Sequence, residues 1–139
     1  LHLRMERHSE NALKLAEYLS SHPCVEWVKY PGFAGDPYFE LAQKYLPKGA
    51  GGILSFGIKG GAAAGKGLIK HLDLVHLVVH LGDLRTSILH PASTTHRQLS
   101  EQQQIEAGIL PEMIRVSAGI EDIEDIIADF DKALSAVAG

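Results

Sequence analysis

The sequence has no run of basic residues, only one cysteine and no long apolar stretch. Lys and Arg together number 13 against 17 Asp and Glu, which gives a net charge of -4 at pH 7. Because a nucleic-acid surface needs clustered Lys and Arg, we expect no nucleic-acid partner. The lone Cys24 cannot form an internal disulfide, so a cytoplasmic location is the default expectation. No apolar stretch is long enough to span a bilayer, and we expect no membrane partner.

What the sequence does contain is the composition of a folded domain. Hydrophobic residues make up 45% of the chain and charged residues 22%, enough apolar surface to offset the entropy of an ordered chain. Neither a repeat nor a low-complexity linker interrupts it, so we expect residues 1–139 to form one domain. Residues 1–8 read as the middle of a helix without a capping residue, which leads us to expect a piece of a larger protein.

Apolar spacing predicts alternating helices and strands. Helices are expected from the start to about Ser20, from Asp36 to about Tyr45, over Ala62–His71, after Ser100 and from about Ile123 to Val137. Strands are expected at Val25–Tyr30, Gly52–Ile58, Val75–Leu81, Thr86–Leu89 and Met113–Ser117. This alternation indicates an α/β (α+β) domain, with a small mixed or antiparallel sheet covered by helices.

A glycine-rich segment, Gly60 to Gly67, imitates a phosphate-binding loop. Two glycines and Lys66 have the required spacing after a predicted strand. Gly67, however, occupies the position where such a loop needs a Ser or Thr hydroxyl to bind magnesium. We therefore interpret the segment as a glycine-rich turn that leads into an alanine-rich helix, with a small nucleotide-binding enzyme as the less favoured alternative.

The eight histidines raise the question of a metal site. Their spacings match no zinc-binding pattern, and only Asp73 and Asp83 lie near the cluster of His71, His76 and His80 in the sequence. We predict no metal site.

Arg115 lies inside an apolar strand, where an unpaired guanidinium would be costly. The side chain must either reach the sheet edge, pair with a carboxylate of the protein, or bind a ligand. Physical chemistry alone favours a structural salt bridge over a ligand site and leaves both open.

Four segments, spread in order over nearly the whole chain, resemble the carboxy-terminal part of the Cys/Met-metabolism pyridoxal-phosphate enzymes. They are Leu3 to His8, Tyr30-Pro-Gly32, His90-Pro-Ala-Ser-Thr-Thr-His96 and Ile114-Arg-Val-Ser-Ala-Gly-Ile-Glu-Asp122. The resemblance implies a carboxy-terminal small domain of a fold-type I pyridoxal-phosphate enzyme, whose large cofactor-binding domain is absent from this chain. It also implies an oligomeric parent, a homotetramer in relatives.

The resemblance also implies the site residues. In this family the arginine of the final strand binds the α-carboxylate of the amino-acid substrate, which corresponds to Arg115. Thr86 occupies the place of a serine in the substrate and cofactor pocket. The Schiff-base lysine and the phosphate-binding residues belong to the large domain, so we expect no catalytic and no cofactor-binding residue in this chain and expect the chain alone to be inactive.

The segment Gly82 to Leu99 is most similar to the sulfhydrylase branch of the family. This implies a transferase of methionine biosynthesis that replaces the γ-acetoxy group of O-acetylhomoserine with sulfide to give homocysteine. The alternatives are a methionine γ-lyase or a cystathionine synthase or lyase of the same family. A stand-alone, noncatalytic amino-acid-binding module is an alternative from a different class.

Overall fold

A computed structural model describes residues 1–138. The helices are α1 (His2–Ser21), α2 (Phe39–Tyr45), α3 (Gly61–His71), α4 (Glu101–Glu106) and α5 (Ile123–Val137). The strands are β1 (Val25–Lys29), β2 (Ile53–Ile58), β3 (His76–Leu77), β4 (Ser87–Leu89) and β5 (Met113–Ser117). A short 3-10 turn covers Pro91–Ser93. No helix in residues 1–138 is both long and apolar enough to cross a membrane.

The strands form one mixed sheet in the order β1-β2-β5-β4-β3. Neighbouring strands are antiparallel except for β3 and β4, which are parallel. The predicted α/β class with a small mixed sheet is therefore confirmed. Because β5 is the central strand, a side chain on it lies far from either edge of the sheet.

The sheet has two unequal faces, because side chains alternate along each strand. One face carries Leu54, Phe56, Ile114 and Val116, all at most 1% exposed, and it packs with α1, α3 and α5 into the hydrophobic core. Burial of each such side chain contributes about 1.5–3 kcal/mol to folding. The other face carries the alternate residues, among them Arg115, and these lie outside the hydrophobic core.

The predicted strand at Val75–Leu81 is wrong over most of its length, since only His76–Leu77 pairs with β4. The residues before β3 bind to α5 instead. There the carboxylate of Asp129 accepts hydrogen bonds from the backbone N–H groups of residues 73, 74 and 75, at 2.9 Å each. The residues after β3 cross the open face of the sheet. Backbone groups that bind side chains in this way are unavailable to a strand ladder.

Two predicted helix starts have different outcomes. Ser100 accepts the N–H of Gln103 and the Gln103 side chain accepts the N–H of Ser100, which confirms the capping box of α4. The start at Asp36 is wrong, because α2 begins at Phe39. Asp36 instead accepts the N–H of Tyr38 and fixes a turn that precedes the helix.

We expect Asp129→Asn to lower the free energy of unfolding by about 1–3 kcal/mol, because it removes the charge and one acceptor from a buried triple contact. Urea denaturation of the chain measures this. The matched control is Asp125→Asn, an exposed residue one turn earlier on α5, which we expect to cost less than about 1 kcal/mol. Equal losses in the two variants would contradict a special role for Asp129.

Candidate functional site

Arg115 lies at the middle of the central strand, on the face opposite the core. It is in register with Ser55 of β2 and Leu89 of β4. Its Nη2 donates one hydrogen bond, of 3.3 Å, to the carbonyl oxygen of Val79. No carboxylate among residues 1–138 forms a salt bridge with it, so the favoured structural salt bridge is wrong. The other N–H groups of the guanidinium form no hydrogen bond within residues 1–138.

Arg85 shows the contrasting arrangement. Its guanidinium lies 3.4 Å from the carboxylate of Asp83. The backbone N–H of Arg85, followed by its guanidinium, lowers the pKa of Asp83. Arg85 thus has a carboxylate partner, whereas Arg115 has none within residues 1–138.

The residues 79–82, which we call the crossing segment, lie over the sheet face that carries Arg115. Ser117 Oγ accepts the N–H of Gly82 at 3.1 Å, and Ser87 Oγ donates to the carbonyl of His80 at 3.2 Å. Ser117 and Ser87 are themselves paired across β5 and β4. The crossing segment is therefore bound to the sheet at three points, the third being Val79 with Arg115.

Thr86 lies just before β4 and is 0% exposed. Its Oγ1 donates to Glu121 Oε2 at 2.8 Å and accepts the N–H of Gly119 at 2.9 Å, while its own N–H donates to Glu121 Oε1. Strand alternation gives Ser87, not Thr86, the same face as Arg115. The predicted role of Thr86 in a substrate pocket stays a prediction, and the contacts seen give its hydroxyl a structural task.

Helix α1 binds the backbone that follows β5. His8 Nδ1 lies 2.6 Å from the carbonyl oxygen of Ala118, and Asn11 Nδ2 donates to the carbonyls of Gly119 and Glu121. A Cβ at residue 119 would come within 2.4 Å of the carbonyl oxygen of residue 84, so only glycine fits there. No role was predicted for His8, Asn11 or Glu121, although all three lie in or near the segments that carry the family resemblance.

A groove of about 320 Å³ opens beside the end of β5. Its lining includes Met5, Ile53 and Leu81, large apolar side chains that are 42%, 42% and 54% exposed. The hydroxyl of Tyr30 donates to the carbonyl of Gly51 at its rim, at 2.8 Å, and burial raises the pKa of Tyr30 to about 12. Large apolar side chains that are exposed together around one groove are a feature of surfaces that bind a partner.

The two other kinds of site considered from the sequence, a phosphate-binding loop and a histidine metal site, have less support. Lys66 of the imitated phosphate loop lies within α3, and Gly65 packs against His90 and Ile114, which agrees with the interpretation as turn and helix. Within residues 1–138, no group of three His, Cys, Asp or Glu side chains could hold a metal ion. His90, a buried member of the histidine set, has its ring nitrogens 2.7 Å from Ser93 Oγ and 2.6 Å from the carbonyl of Pro111.

Comparison with known proteins defines the class first. The model of the Cys/Met metabolism PLP-dependent enzyme family matches residues 1–135. A solved structure of a putative O-acetylhomoserine (thiol)-lyase from Campylobacter jejuni, which contains N'-pyridoxyl-lysine-5'-monophosphate, superimposes with a TM-score of 0.89 at 42% identity. The match covers 96% of this chain and 32% of that one. The chain belongs to the Cys/Met metabolism family of pyridoxal-phosphate-dependent enzymes.

Two curated relatives narrow the similarity within the family. An O-acetyl-L-homoserine sulfhydrylase from Leptospira meyeri is 49% identical over 135 residues, covering 96% of this chain and 30% of the relative. A homocysteine synthase from Schizosaccharomyces pombe is 49% identical over 134 residues, covering 96% and 31%. The chain thus spans about a third of the length of the relatives it matches.

The residues present do not fit a complete cofactor site. A lysine that forms a Schiff base is activated by a desolvated pocket or by a neighbouring cation. All eight lysines of the chain are exposed, and the pKa of Lys132 is raised by its hydrogen bond to Asp73, the reverse of what such a lysine needs. Among residues 1–138, no lysine therefore has the environment that such a Schiff base needs.

We expect Thr86→Val to lower the free energy of unfolding by roughly 2–4 kcal/mol, because it leaves the N–H of Gly119 and one oxygen of Glu121 without a partner. Thr86→Ser keeps the hydroxyl and serves as the control, with a loss below about 1.5 kcal/mol. Thermal and urea unfolding measure both variants. A Thr86→Val variant as stable as Thr86→Ser would show that the hydroxyl contacts contribute little.

Proposed function

We propose that this chain is the carboxy-terminal, substrate-binding domain of an O-acetylhomoserine sulfhydrylase. The parent enzyme replaces the γ-acetoxy group of O-acetylhomoserine with sulfide and releases homocysteine and acetate. The observation that carries the proposal is Arg115, centred on the open sheet face with no carboxylate partner among residues 1–138. The similarity of the chain to an O-acetyl-L-homoserine sulfhydrylase and to a homocysteine synthase supports the choice of reaction.

The task of Arg115 is to bind the α-carboxylate of the substrate. A guanidinium donates two parallel charge-assisted hydrogen bonds to a carboxylate and stays charged at any working pH. A substrate held at a fixed carboxylate presents its γ-carbon in one orientation, which lowers the entropic part of the barrier. Pyridoxal phosphate, when bound by the parent enzyme, supplies the electron sink for the reaction.

The remaining two-thirds of the parent is expected to pack on the groove side of this domain. Exposed Met5, Ile53, Leu77, Val79 and Leu81 lie around or near the face that carries Arg115. Their cover by a large domain would remove apolar surface from water and exclude water from the carboxylate of the substrate. We also propose that the parent enzyme is homo-oligomeric and located in the cytoplasm.

In the full-length enzyme, we expect Arg115→Ala to lower kcat/KM for O-acetylhomoserine by about a hundredfold or more, since it removes two charge-assisted hydrogen bonds. Arg115→Lys keeps the charge but loses the fork, and we expect a loss of about tenfold. Arg85→Ala is the matched control because that arginine already has Asp83. Steady-state kinetics with product analysis tests both the residue and the reaction. Normal kinetics for Arg115→Ala would refute the proposed role of Arg115. Formation of a keto acid instead of homocysteine would indicate a γ-lyase.

The isolated 139-residue chain, mixed with pyridoxal phosphate, is expected to show no lasting change in the visible spectrum of the cofactor. It is also expected to produce no homocysteine from O-acetylhomoserine and sulfide, because its lysines are exposed and lack an enclosing pocket. Absorbance spectroscopy and a homocysteine assay measure the two outcomes. A stable spectral shift with turnover would mean that one of these lysines performs the cofactor chemistry.

A further inference from the structure

Arg115 can bind a carboxylate in one orientation only if its guanidinium is held before the substrate arrives. A long, flexible side chain loses entropy when it becomes ordered, and that loss weakens binding. The hydrogen bond from Nη2 to the carbonyl of Val79 is the contact in residues 1–138 that orders this guanidinium. The position of Val79 therefore decides where the guanidinium points.

Val79 belongs to no strand, so its position depends on what binds the crossing segment. Two serines bind it to the sheet: Ser117 accepts from the N–H of Gly82, and Ser87 donates to the carbonyl of His80. Both side chains are 3% exposed. Burial of the two serines partly shields these bonds from competing water, and loss of either hydroxyl removes one attachment of the crossing segment to the sheet.

The geometry relates these serines directly to Arg115. Ser117 follows Arg115 by two positions on β5 and so shares its face. Ser87 is the register partner of Ser117 on β4. Arg115, Ser117 and Ser87 thus form three neighbouring side chains that bind three successive parts of one segment. Nothing in the core requires hydroxyl groups at 87 and 117, since both point away from it.

We infer that Ser117 and Ser87 are positioning residues for Arg115: by fixing the crossing segment, they hold the carbonyl of Val79 where it orients the guanidinium for the substrate carboxylate. This inference rests on the proposed function of Arg115. It adds two residues that touch neither the substrate nor the reacting atoms and act through the backbone of residues 79–82.

The test uses the full-length enzyme with Ser117→Ala and Ser87→Ala. We expect each to raise KM for O-acetylhomoserine by roughly threefold to tenfold, the loss typical of one weakened hydrogen bond, with little change in KM for sulfide. Ser55→Ala is the matched control, because Ser55 is the register partner of Arg115 on β2 and its hydroxyl makes no hydrogen bond within residues 1–138. We expect that control to keep the parent KM.

A double-mutant cycle separates positioning from general damage. If the serines act through Arg115, Ser117→Ala adds no further increase in KM once Arg115 is Ala. An increase that persists in the Arg115→Ala background, or a Ser117→Ala variant that behaves as Ser55→Ala does, would overturn the inference. Should Ser117→Ala fail to fold, Ser87→Ala provides the same comparison. If Arg115→Ala alone leaves KM unchanged, the proposed function is wrong, and the inference falls with it.

Discussion

The arrangement of this domain depends on the hydrogen bonds that hold the backbone of residues 118–121. His8 and Asn11 bind it from α1, and Thr86 binds it from the start of β4. At this point the chain leaves the central strand and turns toward α5, so these bonds join the first helix, the sheet and the last helix. The contacts to Ala118 and Gly119 are buried, so each partner lost there would leave a costly unsatisfied group.

The backbone of residues 118–121 also keeps the two faces of the sheet distinct, one for the core and one for polar contacts. Residues that point to the core, such as Ile114 and Val116, stabilise the fold through burial alone. Residues that point the other way, Arg115 and Ser117, have polar tasks at the open face. One five-residue strand can serve both because its side chains alternate, and the fixed backbone beyond it prevents a shift in register that would exchange the two sets.

The extent to which the sequence predicted this structure follows from the range of the interactions. Helices with clear apolar spacing, such as α5, and the local capping box at Ser100 were predictable, because the determining residues lie within a few positions of one another. The short length of β3 was not, since it depends on Asp129, more than fifty positions away, and on serines of two other strands. The role of Arg115 in substrate binding follows from the family resemblance and stays a prediction, whereas its lack of a salt bridge within residues 1–138 required the fold.

The crossing segment is attached to the sheet through backbone groups: a carbonyl at 79, a carbonyl at 80 and an amide at 82. Its own side chains, including Val79 and Leu81, extend toward the outside instead. Substitutions at 79, 80 and 81 can therefore alter the shape and polarity of the surface beside Arg115 without breaking any attachment. Side chains at these three positions can be exchanged at low cost to the fold, because the backbone contact that orders Arg115 does not depend on them.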